Sequence, residues 1–163
     1  MNNGIFLLLG TNSGNRADNL TIAKQQIDHH AGEIIAVSSV YKTAAWGKKN
    51  QDDFLNQVIS IKTKLPPQKL LEQLLAIELS MGRIRKEKWG PRIIDIDILF
   101  YDNQVISTKT LRLPHPGIPD RKFTLIPLAE IAGDFIHPKL NKTVRQLLDS
   151  CNDDLRVELI NDD

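Results

Sequence analysis

The sequence predicts an α+β fold, an antiparallel sheet carrying two helices on one face. Three observations point there. Short apolar or alternating runs recur between helical patterns, turn residues close each run, and the order is β-α-β-β-α-β.

Ile5-Phe6-Leu7-Leu8-Leu9, ended by Gly10, reads as a buried first strand. Gly10 to Asn15 is a turn in which Asn12 or Asn15 can cap the next helix. In that helix Leu20, Ala23, Ile27 and Ala31 share a face, and Gly32 stops it. The adjacent His29 and His30 cannot share a face and read as surface residues. Residues Ile34 to Tyr41 predict a β-branched strand, and Ala44 to Asp53 a polar loop with an isolated Trp46. Phe54 to Ile61 alternates as a strand with Phe54, Val58 and Ile61 as its apolar members. Pro66-Pro67 opens a second helix with a broad apolar face of Leu70, Leu71, Leu74, Leu75, Ile77 and Leu79, closed by Gly82. A basic loop precedes a strand from Ile93 to Phe100. The order is that of a ferredoxin-like sheet. From Asp102 onward, Pro-rich sequence around Leu113-Pro114-His115-Pro116 predicts C-terminal additions: short strands and a helix near Val144 to Leu148.

A chain of 163 residues, 41% hydrophobic and 25% charged, suits one folded domain over 1–163 and excludes disordered or collagen-like classes. With 21 basic against 20 acidic residues, no global field draws it to nucleic acid or membrane, so an anion site must come from local clustering. Cys151, the only cysteine, excludes an intrachain disulfide. The first residues lack the pattern of a signal peptide, and Ile5 to Leu9 is too short to span a bilayer; a cytoplasmic monomer is expected.

The chemistry concentrates between residues 83 and 99. A strand repeats every second residue, so Asp95 and Asp97 share one face while Ile94, Ile96 and Ile98 point into the core. Two neighbouring carboxylates repel unless a cation lies between them, and hard oxygen ligands suit magnesium carrying phosphates. Upstream, Arg83, Arg85, Lys86, Lys88 and Arg92 supply the opposite charge for a polyphosphate. Trp89 in that loop, with Trp46, Phe54 and Phe123, offers aromatic surface for a planar heterocycle, and Asn56 an amide to read its edge. The bland alternative for each feature is solvated charge, local salt bridges and ordinary packing. No P-loop, dinucleotide fingerprint, zinc-hydrolase or serine-nucleophile motif occurs.

Lys88-Trp-Gly-Pro-Arg92 followed by Ile-Ile-Asp95-Ile-Asp97-Ile-Leu resembles the signature of the 6-hydroxymethyl-7,8-dihydropterin pyrophosphokinases. The likeness extends through Gly10-Thr-Asn12, Ser39-Val-Tyr41-Lys-Thr43, Trp46-Gly47, Phe54-Leu-Asn56, Glu78, Arg83-Ile-Arg85, Pro114-His115, Arg121-Lys-Phe123, Pro127-Leu128 and Glu130-Ile-Ala. It stops short of the last twenty or so residues. The resemblance implies transfer of pyrophosphate from ATP to the pterin hydroxymethyl group, releasing AMP, in folate biosynthesis. It implies two magnesium ions on Asp95 and Asp97. Arg83, Arg92 and Asp97 would be catalytic. Glu78, Arg83, Arg85, Trp89, Arg92, Ile98, Arg112, His115 and Arg121 would serve ATP. Thr43, Ala44, Trp46, Phe54, Asn56, Trp89, Asp95 and Phe123 would hold the pterin.

Ala45, Leu75, Lys88 and the Thr110/Arg112 pair depart from the family pattern and bear on single ATP contacts. Two rivals remain: a ferredoxin-like RNA-binding module, which lacks the expected aromatics and would oppose Asp95 and Asp97 to phosphates, and a non-catalytic ATP sensor.

Overall fold

A computed structural model describes residues 4–44, 53–82 and 93–160. Strand β1 (Ile5–Thr11) leads through helix α1 (Arg16–His30) to β2 (Glu33–Val37), β3 (Tyr41–Thr43) and β4 (Phe54–Lys62). Helix α2 (Pro67–Ser80) then precedes β5 (Asp95–Tyr101) and the short pair β6 (Ile106–Ser107) and β7 (Arg112–Leu113). Helices α3 (Lys122–Ala132) and α4 (Val144–Asp149) and strand β8 (Val157–Leu159) complete the chain. The main sheet runs β5-β1-β4-β3-β8, with β2 also on β4, and its pairs are antiparallel.

The period of two in the strands sorts residues onto two faces. Ile5, Leu7 and Leu9 of β1, Ile59 and Ile61 of β4, and Ile96 and Ile98 of β5 meet Leu20, Ala23 and Ile27 of α1 and Leu70, Leu74 and Ile77 of α2. Phe6, Leu8, Val58, Leu99 and Phe100 face the other way, against Leu125 and Leu128 of α3 and Val144 and Leu147 of α4. The expectation of helices on one face holds for α1 and α2; the C-terminal additions cover part of the second face.

A register shift between Phe6 and Leu7 leaves Leu99 without a partner on β1, because Phe6 pairs with Phe100 and Leu7 with Ile98. This bulge turns two consecutive β5 residues, Leu99 and Phe100, to the α3 side. Phe100 there meets Phe6 edge-on at 6.3 Å and Phe135 at 4.6 Å between ring centroids.

Local chemistry explains most boundaries. The Asn15 side chain accepts from the Asp18 amide and caps α1, and α4 carries a capping box from Thr143 and Gln146. The predicted strand from Ile34 to Tyr41 is two strands. Ser38 interrupts it: its hydroxyl accepts from the Val58 amide and donates to the Ser39 carbonyl, replacing ladder bonds. The apolar face predicted for α2 is narrower than its leucines suggest: Leu70, Leu74 and Ile77 are buried, while Leu75 and Leu79 are exposed. A helix shows one side to the core, and its period leaves those two outside. Helix α3 was not among the predicted elements; Pro127 lies within it and has no N–H for the Phe123 carbonyl. His29 and His30 are exposed, as predicted. Among the described residues no helix is long and apolar enough to cross a membrane.

His137 is buried, its Nδ1 accepts from the Lys139 and Leu140 amides, and its ring meets Phe100 edge-on. Burial lowers its pKa, and Lys139 lowers it further. The folded state therefore binds fewer protons than the unfolded one below the ordinary value of about 6.5. Its contribution is complete above that pH and is lost as pH falls through the depressed folded value. Thermal unfolding between pH 8 and pH 5 should show a falling midpoint, with a shallower slope in His137→Gln.

Candidate active site

The α3-facing side of the sheet is apolar at one end and polar at the other. Along β5, Leu99 gives way to Asp97 and Asp95; along β4, Val58 gives way to Asn56 and Phe54. Register aligns them in rows. Gly10 of β1 lies between Asn56 and Asp95, and Leu8 lies between Val58 and Asp97. Above these rows opens a cleft of about 740 Å³. Leu8, Gly10, Asn56, Asp95 and Asp97 form part of its lining, with Thr43, Ala44 and Phe54 beside them. His115, Pro116, Gly117, Asp120, Arg121 and Phe123 come from the segment leading into α3, and Asp153 and Leu155 from the tail.

Gly10 keeps the floor flat. A Cβ there would stand 3.2 Å from the Asn56 Oδ1 and 3.9 Å from the Phe54 ring. Asn56 is buried, and its Nδ2 donates to the Thr43 hydroxyl at 2.9 Å, which fixes the plane of the amide. Phe123, in the first turn of α3, has the Arg121 guanidinium 5.6 Å from its ring centre, within cation–π range.

The β5 strand ends the sheet, and a buried carboxylate supports it. The Glu78 Oε2 accepts from the Ile96 amide at 2.7 Å, between the two aspartates and from the α2 side. Glu78 is buried on the α2 side of the strand. The Ile98 side chain is in the core on the α1 and α2 side of the sheet, so a ligand on the cleft side would meet its main chain. Arg112 is exposed on β7.

His115 is half-buried, its amide donates to the Leu99 carbonyl at 2.9 Å, and its Nδ1 accepts from the Gly117 amide at 3.0 Å. That bond assigns the proton of the neutral ring to Nε2. Burial lowers its pKa, the Asp97 charge works against that shift, and Arg121 adds to it. The balance favours a neutral ring that can donate.

Thr43, Ala44, Phe54, Asn56, Asp95, Asp97, His115, Arg121 and Phe123 therefore gather at one cleft. Trp46, Arg83, Arg85, Trp89 and Arg92 lie outside the described residues. Leu8, Gly10, Pro116, Gly117, Asp120, Asp153 and Leu155 line the cleft without having been predicted. Gly10 carried a signal, a glycine at the end of an apolar strand.

A family model described as 7,8-dihydro-6-hydroxymethylpterin-pyrophosphokinase (HPPK) matches residues 6–133. The chain belongs to the HPPK family. Among curated HPPK relatives, the 2-amino-4-hydroxy-6-hydroxymethyldihydropteridine pyrophosphokinase of Aquifex aeolicus is 43% identical over 142 residues, 87% of this chain and 88% of the relative. The Haemophilus influenzae enzyme of the same name is 36% identical over 148 residues, covering 88% and 92%. In fold, the chain is similar to the Plasmodium falciparum HPPK-DHPS solved with SDX-DHP, at a TM-score of 0.74 and 20% identity. That match covers 90% of this chain and 43% of the larger one.

The Glu78 contact makes a direct prediction for this HPPK-family sheet. Glu78→Ala leaves the Ile96 amide unpaired, which should cost about 1–3 kcal/mol. Hydrogen exchange at Ile96 should quicken more than exchange at β1 or β4 amides.

Proposed function

We propose that the chain catalyses transfer of pyrophosphate from ATP to the hydroxymethyl oxygen of 6-hydroxymethyl-7,8-dihydropterin, in folate biosynthesis. The observation that carries this is the pairing of two kinds of wall in one cleft. Asp95 and Asp97 line it from β5, and Phe54, Asn56, Thr43 and Phe123 line the same cleft from β4, β3 and α3. Family membership fixes the chemistry to which such a cleft belongs.

The donor set fits magnesium with ATP. Asp95 and Asp97 stand two residues apart on one face of β5 and line the cleft as a carboxylate pair. Magnesium suits that arrangement, since it binds by one or two carboxylates and fills its octahedron with phosphate oxygens and water. Asp95 and Asp97 would hold two such ions, which would supply positive charge to offset that of the phosphates.

The protein's own groups position the reactants. Phe54 and Phe123 take the faces of the pterin ring over bare Gly10, and Asn56, with its amide held by Thr43, reads the ring's polar edge. Ala44 lines the same pocket, and Trp46 and Trp89 would add aromatic surface for that ligand. The Nε2 proton of His115 and the Arg121 guanidinium meet phosphate oxygens, with Arg85 and Arg112 as further cationic partners. Arg83 and Arg92 stabilise charge as the alcohol oxygen bonds to the β-phosphorus and the bond from that phosphorus to the AMP oxygen breaks. The proton of the alcohol leaves to solvent or to a carboxylate of the site. Positioning and charge neutralisation supply most of the acceleration. The sheet order, with β2 and β3 beside β4, supports a ferredoxin-like core within one domain, and we place the enzyme as a cytoplasmic monomer.

Incubation with ATP, magnesium and the pterin alcohol should yield AMP that depends on the pterin, without ADP. ADP would contradict attack at the β-phosphorus, and ATP binding without turnover would favour a sensor. Arg92→Ala should lower kcat by about a hundredfold or more while ATP affinity changes far less, as expected for a contact that strengthens in the transition state.

A further inference from the structure

The family match ends at residue 133, yet Asp153 and Leu155 line the cleft. The tail that carries them is fixed at both ends. On one side, the Asp153 Oδ2 accepts from the Lys122 amide at 3.0 Å and its Oδ1 from the Leu155 amide at 2.9 Å. Lys122 is the first residue of α3, whose N-cap, Arg121, makes no side-chain capping bond. Asp153 supplies that cap from a distant part of the chain, with its charge at the favourable end of the helix. On the other side, β8 pairs with β3, setting Val157 opposite Thr43, and the Ile160 amide donates to the Val40 carbonyl at 2.9 Å. The tail thus spans from the turn that carries Phe123 to the strand that carries Thr43. Leu155 lies between the two anchors.

We propose that this tail is the specificity wall at the planar-ligand end of the cleft. Leu155 packs against the heterocycle, and Asp153 is a positioning residue that sets Phe123 at ring spacing from Phe54 and Thr43. The inference rests on the pyrophosphokinase function above and deepens it by assigning residues outside the matched family region to recognition of the pterin. An apolar side chain here favours a flat, weakly charged ring, and the two amide bonds to Asp153, one on each oxygen, hold its carboxylate in place at the cleft wall.

The test is steady-state kinetics of pterin-dependent AMP formation by the full chain, comparing wild type with Leu155→Ala, Asp153→Ala and Asp153→Asn. Leu155→Ala should raise KM for the pterin alcohol by about tenfold, the scale for losing a few methylene contacts, with kcat and KM for ATP nearly unchanged. Asp153→Ala should show the same split, and Asp153→Asn, which keeps one oxygen acceptor for an amide, should recover part of the loss. A pterin KM unchanged in Leu155→Ala, or pterin and ATP constants moving together in every variant, would overturn the assignment while leaving the function intact. Leu155 makes no side-chain hydrogen bond, so its variant tests the wall even if loss of the Asp153 cap weakens the fold. A wild-type chain that forms no AMP would overturn the function and this inference with it.

Discussion

One face of one sheet has to serve as hydrophobic core at one end and as a polar binding floor at the other, and the rest of the structure follows from that constraint. The β-strand period places Asp95 and Asp97 on the same face as Leu99, so the carboxylates can reach a ligand only where the covering helices stop. The bulge at Leu99 is where the change occurs: it adds Phe100 to the apolar end and leaves the aspartates beyond it. Helices α3 and α4 cover the apolar half, and the first turn of α3 brings Phe123 to the boundary. The opposite face has no such division and is filled by α1 and α2.

Polar groups at this boundary are held from behind. Glu78 takes the Ile96 amide, Thr43 orients Asn56, and the Gly117 amide sets the tautomer of His115. Each bond removes freedom from a group that would touch substrate, or from the strand carrying it. A further clasp joins α3 to the strand bearing Thr43: Glu130 accepts from the Ser39 amide and hydroxyl and from the Tyr41 hydroxyl. Burial, the bond to Glu130 and its charge keep Tyr41 protonated, its pKa pushed up to about 12. A floor assembled from separate strands can then present fixed spacing to a rigid heterocycle.

Much of this was legible in the sequence because it depends on local period. Ile94, Ile96 and Ile98 alternate with Asp95 and Asp97, so the two faces of β5 could be read before any fold was known. The caps at Asn15 and the faces of α1 and of much of α2 follow from the same local rules. What escaped depends on distant partners. The N-terminus of α3 has no local side-chain cap; the Asp153 carboxylate, far along the chain, accepts its first amide. Ser38 breaks a β-branched run because Val58 offers both backbone groups across the sheet. Glu78 reads as a polar residue at the end of a leucine-rich helix, and only the packed edge strand gives its carboxylate a backbone amide to hold.

The proposed function requires Asp97, which strand period turns to the cleft, to recruit ATP through magnesium. Calorimetric titration of ATP into wild type and Asp97→Asn, each with magnesium and with a chelator, tests it most directly. The account predicts magnesium-dependent ATP binding in the wild type and loss of most of that dependence in Asp97→Asn, with an unchanged thermal midpoint. Equal magnesium-dependent affinity in the two proteins would contradict it.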